Sequence, residues 1–151
     1  MTTVCFVSEP DADPRENLLS FETVRQALTP YDLEQPYTNA VTIETVSLGA
    51  AVALLDDLEW YLRRTVREAI VREPSVDPRE WLSRELAREI RHEVLEPDET
   101  GDLVKIYGVE DGVLVDPMYA ERRGDGSLPE YDLRTVDDTV IIRVSTSAFG
   151  R

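Results

Sequence analysis

Residues 103–119, LVKIYGVEDGVLVDPMY, decide the class of fold. Val104 to Val109 and Val113 to Tyr119 are apolar, β-branched runs on either side of Asp111-Gly112. That dipeptide tolerates the positive φ values a two-residue hairpin turn demands, so the stretch predicts two antiparallel strands. Downstream, Gly124-Asp125-Gly126-Ser127 reads as a second turn. Glu130 to Val136 and Thr139 to Ser145 read as another strand pair about Asp137-Asp138, with Val140, Ile142 and Val144 toward the core and Arg143 toward water. Residues 146–151 are expected to form a flexible tail.

Upstream of this stretch the apolar period changes from two to helical. Thr2 to Val7 is β-branched and aromatic and predicts a buried strand. Asp13-Pro14-Arg15-Glu16 is a helix start, with a capping Asp, a Pro suited to the first turn and a carboxylate behind it. Leu18, Phe21, Val24 and Leu28 then form one stripe, which ends at Thr29-Pro30. Tyr31 to Asn39 reads as a loop, and Val41 to Val46 as a second strand. Ser47 caps a helix whose buried face is Leu48, Ala51, Val52, Leu55, Leu58 and Leu62, running to about Arg64. A strand over Thr65 to Arg72 follows. The tetrapeptide Asp-Pro-Arg-Glu recurs at 77–80 and predicts a helix to about Glu93, with Trp81, Leu82, Leu86 and Ile90 buried. Residues after the two tetrapeptides align poorly, so shared cap chemistry explains the recurrence better than a duplicated unit. The expected fold is α+β: an N-terminal mixed β/α region with about three helices, packed on a C-terminal antiparallel β-meander, in one domain spanning 1–151.

Charge is the strongest compositional signal. Fifteen arginines and one lysine, Lys105, face thirty-one acids, a formal net charge of −15. Such a chain repels itself in dilute buffer but is tolerable at molar salt, where the Debye length falls to about 3 Å. Ordinary core content excludes a disordered acidic chain, so the composition reads as adaptation to a salt-rich cytosol. The single Cys5, in an apolar run, fits a reducing compartment. The longest apolar segment, Leu48 to Leu55, is too short to cross a bilayer. A cytoplasmic protein with no membrane association is expected.

The charge is unevenly spread. Residues 1–62 carry net −9 and residues 93–151 net −8, whereas residues 63–92 hold eight arginines against six acids, net +2. Arg84, Arg88 and Arg91 share one face of the expected helix, and Arg63, Arg64 and Arg67 end the preceding one. With Trp81 these form the candidate partner-binding set, since arginine forks recognise carboxylates and phosphates. Intramolecular pairing with neighbouring glutamates is the alternative.

No catalytic constellation is legible. Asp11 and Asp13, or Asp56 and Asp57 with Glu59, are pairs that thirty-one acids produce by chance, and an EF-hand's further ligands are missing. His92 is the only histidine, so neither a zinc site nor a Cys–His dyad is expected. Ser47-Leu48-Gly49 is a plain cap rather than a phosphate loop. No metal or cofactor is expected. The reading is a non-enzymatic interaction or regulatory module with a protein partner. The alternatives are a nucleic-acid or ribonucleoprotein-associated protein using residues 63–92, and a carboxylate enzyme using Asp11, Asp13 or Asp56 with a divalent metal.

Four stretches resemble a family of small haloarchaeal proteins of unknown function. They are Val46–Ala51 (VSLGAA), Arg72–Val76 (REPSV), Ile106–Gly112 (IYGVEDG) and Tyr131–Arg134 (YDLR). The resemblance implies a halophilic archaeal cytosol and carries no activity or site residues with it.

Overall fold

β1 (Thr2–Val7) is buried along its whole length, because apolar layers cover both faces of the sheet it centres. The computed structural model describes residues 1–150. Two short helices follow β1, α1 (Pro14–Leu18) and α2 (Glu22–Leu28), where one was expected. Asp13 caps α1 as its sequence predicts, accepting from the Glu16 amide at 3.0 Å. The chain then forms β2 (Glu34–Tyr37), β3 (Ala40–Thr45), α3 (Leu48–Asp57), α4 (Glu59–Thr65) and β4 (Glu68–Arg72). These strands pair antiparallel in the order β2-β3-β1-β4, so residues 2–72 form a β-α-β-β-α-β unit of two interlocked split βαβ halves.

β2 overturns the expected loop at 31–39. Its sequence, EQPY, lacks alternation, and Pro36 demotes any strand reading. As the outermost strand of this side of the sheet, β2 tolerates a residue with no N–H to donate.

The second Asp-Pro-Arg-Glu is not a helix start. Asp77 Oδ1 accepts from the amides of Arg79 and Glu80 in a turn, at 2.8 and 2.7 Å. Glu80 Oε1 accepts from Arg122 at 2.7 Å and Arg143 at 2.9 Å. Anchored so, the chain runs extended through β5 (Trp81–Ser83), and α5 (Arg84–Arg91) begins only behind the Ser83 cap. Tertiary pairing of β5 with β4 and β8 outweighs local helix chemistry, a normal outcome for a weak prior.

The hairpin appears as predicted: β6 (Leu103–Glu110) and β7 (Val113–Glu121) join through Asp111 and Gly112, at φ +52° and +78°. β7 bulges at Asp116-Pro117, where a proline is acceptable. β8 (Asp138–Arg143) returns antiparallel beside β6, and the whole sheet reads β2-β3-β1-β4-β5-β8-β6-β7. Residues 130–136 are not a strand. Their Tyr131 and Val136 lie across the outer face of β6, so close that a Cβ on Gly108 would sit 2.6 Å from Val136.

Helices cover one face of the sheet, over Val4, Phe6, Val41, Ile43, Val71 and Leu82. The other face curls on itself around Cys5, Ile70, Trp81, Tyr107, Leu114 and Ile142. Its ends meet: the Thr38 amide donates to Gly112 O at 2.8 Å, and buried Asn39 bonds both the N–H and the C=O of Leu114 at 2.9 Å. Across the curl, Glu68 of β4 accepts from Lys105 of β6 at 2.7 Å and from the Tyr107 hydroxyl. Burial, with the Glu68 charge next, pushes the Tyr107 phenol upward. The chain's single lysine thus joins two strands that do not pair. At the C-terminal end, Ala148 packs on the curled face and Phe149 meets Tyr119 edge-on at 5.7 Å.

Candidate partner-binding surface

α3 and α4 are one amphipathic stretch interrupted at Leu58, which ends α3 and opens α4 with φ −98° and ψ 4°. Leu58 is buried, and the break turns the first residues of α4 toward the start of α2. There Phe21, Trp60 and Tyr61 meet edge-to-face in all three pairs, with centroids 5.7, 5.2 and 5.1 Å apart. This is the geometry the ring quadrupoles favour. The Tyr61 hydroxyl lies 3.2 Å from Thr23 Oγ1 and ties the triad to α2. Arg64 completes the platform: its guanidinium carbon sits 3.6 Å over the Trp60 ring and its Nη1 donates to Trp60 O at 2.7 Å. Trp60 nevertheless stays 54% exposed.

The arginines singled out in the sequence divide into two groups. Arg84 donates to Asp56 at 2.9 Å and Glu59 at 3.2 Å, and Arg88 donates to Asp56 at 2.6 Å. The Arg88 hydrogen bond comes first among the causes holding the Asp56 carboxyl below its usual range. Intramolecular pairing on α5 is therefore real, but the carboxylates come from α3 and α4 rather than from α5 itself. Arg91 rests over Gly49 at the start of α3, where a Cβ would lie 2.6 Å from its Nε. Arg63, Arg64 and Arg67 remain at the other end of α4. Arg63 holds Glu59 at 3.3 Å with its side chain 73% exposed, and Arg67 reaches Glu9 at 3.5 Å. Trp81 does not join them: it is a buried β5 residue on the curled face, with Arg72 stacked over its ring at 4.6 Å.

The acidic candidates lie apart. Asp13 caps α1, Asp11 sits in the turn before it, and Asp56 pairs with two arginines. Among the described residues no three His, Cys, Asp or Glu side chains form a group able to hold a metal ion. His92 is the exposed residue closing α5.

Phe21, Trp60 and Tyr61 are not among the candidate partner-binding residues of the sequence, where Phe21 belongs only to an apolar helix stripe. One signal was available, since Trp60 falls off the apolar stripe of its helix and a large aromatic facing water calls for a reason.

Fold and surface together define an α+β protein built on a split βαβ unit, with an aromatic–arginine platform at one helical corner. Among the described residues, no helix is long and apolar enough to cross a membrane. The chain belongs to the Family of unknown function (DUF5804), whose model matches residues 2–109. That stretch runs from β1 into β6 and contains the whole platform. No curated protein and no solved structure matches the chain.

Proposed function

We propose that this protein is a non-enzymatic interaction module of a salt-rich cytosol, docking a protein partner on the Phe21–Trp60–Tyr61–Arg64 platform. The observation that carries the reading is the half-exposed Trp60, held by two edge-on rings and one stacked arginine. Trp, Tyr and Arg dominate binding hot spots, and a platform already fixed in place loses little freedom on binding. Covering the exposed half of Trp60, roughly 120 Å², is worth about 3 kcal/mol at ~25 cal/mol per Å².

Salt chooses between the protein and nucleic-acid readings. Arginine contacts to a nucleic-acid backbone weaken steeply as salt rises, because they depend on release of counterions condensed on the polyanion, whereas apolar burial is not screened. A surface centred on aromatic rings suits the environment that a net charge of −15 reports. Arg84 and Arg88 of α5 already engage Asp56 and Glu59, which further favours a protein partner over a phosphate backbone. The partner's matching patch carries apolar side chains flanked by carboxylates that meet Arg63 and Arg64.

Affinity capture from native lysate in molar KCl tests the proposal. A stoichiometric protein should be retained by the wild type and lost with Trp60→Ala. No stoichiometric protein, or one that Trp60→Ala retains equally, contradicts it.

A further inference from the structure

Beside the platform, a cleft of about 190 Å³ opens between the end of β1, α1 and the last turn of α4. Its polar lining includes Ser8, Asn17, Arg63, Arg64 and Arg67, with Glu9 the one carboxylate. We propose that this cleft binds a phosphate-class oxyanion, either free phosphate or a phosphomonoester.

Three observations carry the inference. The first is charge: three arginines against one acid gather in a small concavity of a chain whose net charge is −15. Arg64 is held by Trp60, but the acidic partners of Arg63 and Arg67 are slack. Arg67 meets Glu9 only at 3.5 Å, and the Glu9 side chain is 62% exposed. Arg63 shares Glu59 with Arg84. Guanidinium forks left with free N–H groups match the oxygens of a phosphate.

The second is Ser8. It continues the side of β1 that carries Val4 and Phe6 toward the helices, is 2% exposed, and its Oγ has no hydrogen-bond partner. A buried hydroxyl without a partner is uncommon in a native interior and calls for an acceptor that belongs there. An oxyanion oxygen at the cleft floor is such an acceptor.

The third is size. The volume falls below the ~300–1,000 Å³ of pockets that enclose cofactor- or drug-sized molecules, so the site suits a single tetrahedral group. The inference goes beyond the partner-docking reading, although Arg63 and Arg64 border both surfaces.

The test is a titration of the full chain with inorganic phosphate at constant ionic strength in KCl, followed by amide NMR, with O-phosphoserine as a second arm. Saturable shifts are expected at Ser8, Asn17 and Arg67. Arg67→Gln and Asn17→Ala should each weaken binding about tenfold, as loss of a charge-assisted or neutral hydrogen bond to an anion does. Both positions are exposed, so the fold should survive, and unchanged thermal unfolding will verify it. Tighter binding of O-phosphoserine assigns the site to a phosphate carried on another molecule; equal or weaker binding assigns it to the free ion. Absence of saturable shifts, or binding unaffected by both substitutions, overturns the inference. Arg67→Gln, which lies outside the platform, should weaken phosphate binding while leaving partner capture intact, which separates failure of this site from failure of the platform.

Discussion

Asn39→Ala tests how the sheet is closed. Asn39 is 1% exposed and belongs to the β2–β3 turn, yet its bonds reach two other segments. Nδ2 donates to Ser8 O at 3.0 Å and Leu114 O at 2.9 Å, while Oδ1 accepts from the Leu114 amide at 2.9 Å. Three buried hydrogen bonds at ~1 kcal/mol each, with a buried N–H and carbonyls then left unsatisfied, add to about 3–5 kcal/mol. Asn39→Asp should be at least as damaging, since a carboxylate keeps the bond from Leu114 N but faces two carbonyl oxygens with no proton to offer. Urea unfolding in molar KCl reads the loss as a fall in midpoint at unchanged slope. If Asn39→Ala lies within about 1 kcal/mol of the wild type, these bonds do not close the curl and the reasoning fails.

Two further perturbations probe the interior. Burial, reinforced by Glu68 and opposed by Arg72, pushes the Cys5 thiol up to about 12. An unfolded thiol ionises near 8.5, so the folded state holds a proton the unfolded chain has lost, and stability should fall by about 1.4 kcal/mol per pH unit above that point. The fall in urea midpoint from pH 9 to pH 10 should be steeper in the wild type than in Cys5→Ala, where the raised tyrosines alone contribute; equal slopes contradict the assignment. Gly108→Ala should cost about 1–3 kcal/mol, because its Cβ would meet Val136 at 2.6 Å and the Tyr131 ring at 2.8 Å. Val136→Ala in the same chain should restore part of the loss, and a neutral Gly108→Ala in thermal unfolding would mean residues 130–136 do not lie on β6.

Much of the fold was legible in the residues because local chemistry and tertiary context agree there. The Thr2–Val7 strand, the Asp13 and Ser47 caps and the Asp111-Gly112 hairpin each need only their own neighbours. Elsewhere the deciding partner is distant. Asp77-Pro78-Arg79-Glu80 has the chemistry of a helix start, but Arg122 and Arg143 hold Glu80 and the chain enters the sheet. EQPY at 34–37 carries no strand pattern and is a strand because β3 offers it an edge. The candidate site shows the same division. The arginine clustering at 63–92 is visible in composition, and pairing on α5 could be weighed from spacing. That Asp56 and Glu59 supply the pairing, or that Phe21 meets Trp60 thirty-nine residues on, depends on how α2, α3, α4 and α5 pack.

The platform can be watched directly, because Trp60 and Trp81 are the only tryptophans and Trp81 is buried. In a Trp81→Phe chain all tryptophan emission comes from Trp60. Added to this chain in molar KCl, the captured partner should shift the emission to shorter wavelength and shield it from acrylamide, with affinity about a hundredfold weaker in Trp60→Ala, the equivalent of ~3 kcal/mol. A partner that binds at full affinity while Trp60 emission and quenching stay those of the free chain would contradict the docking assignment.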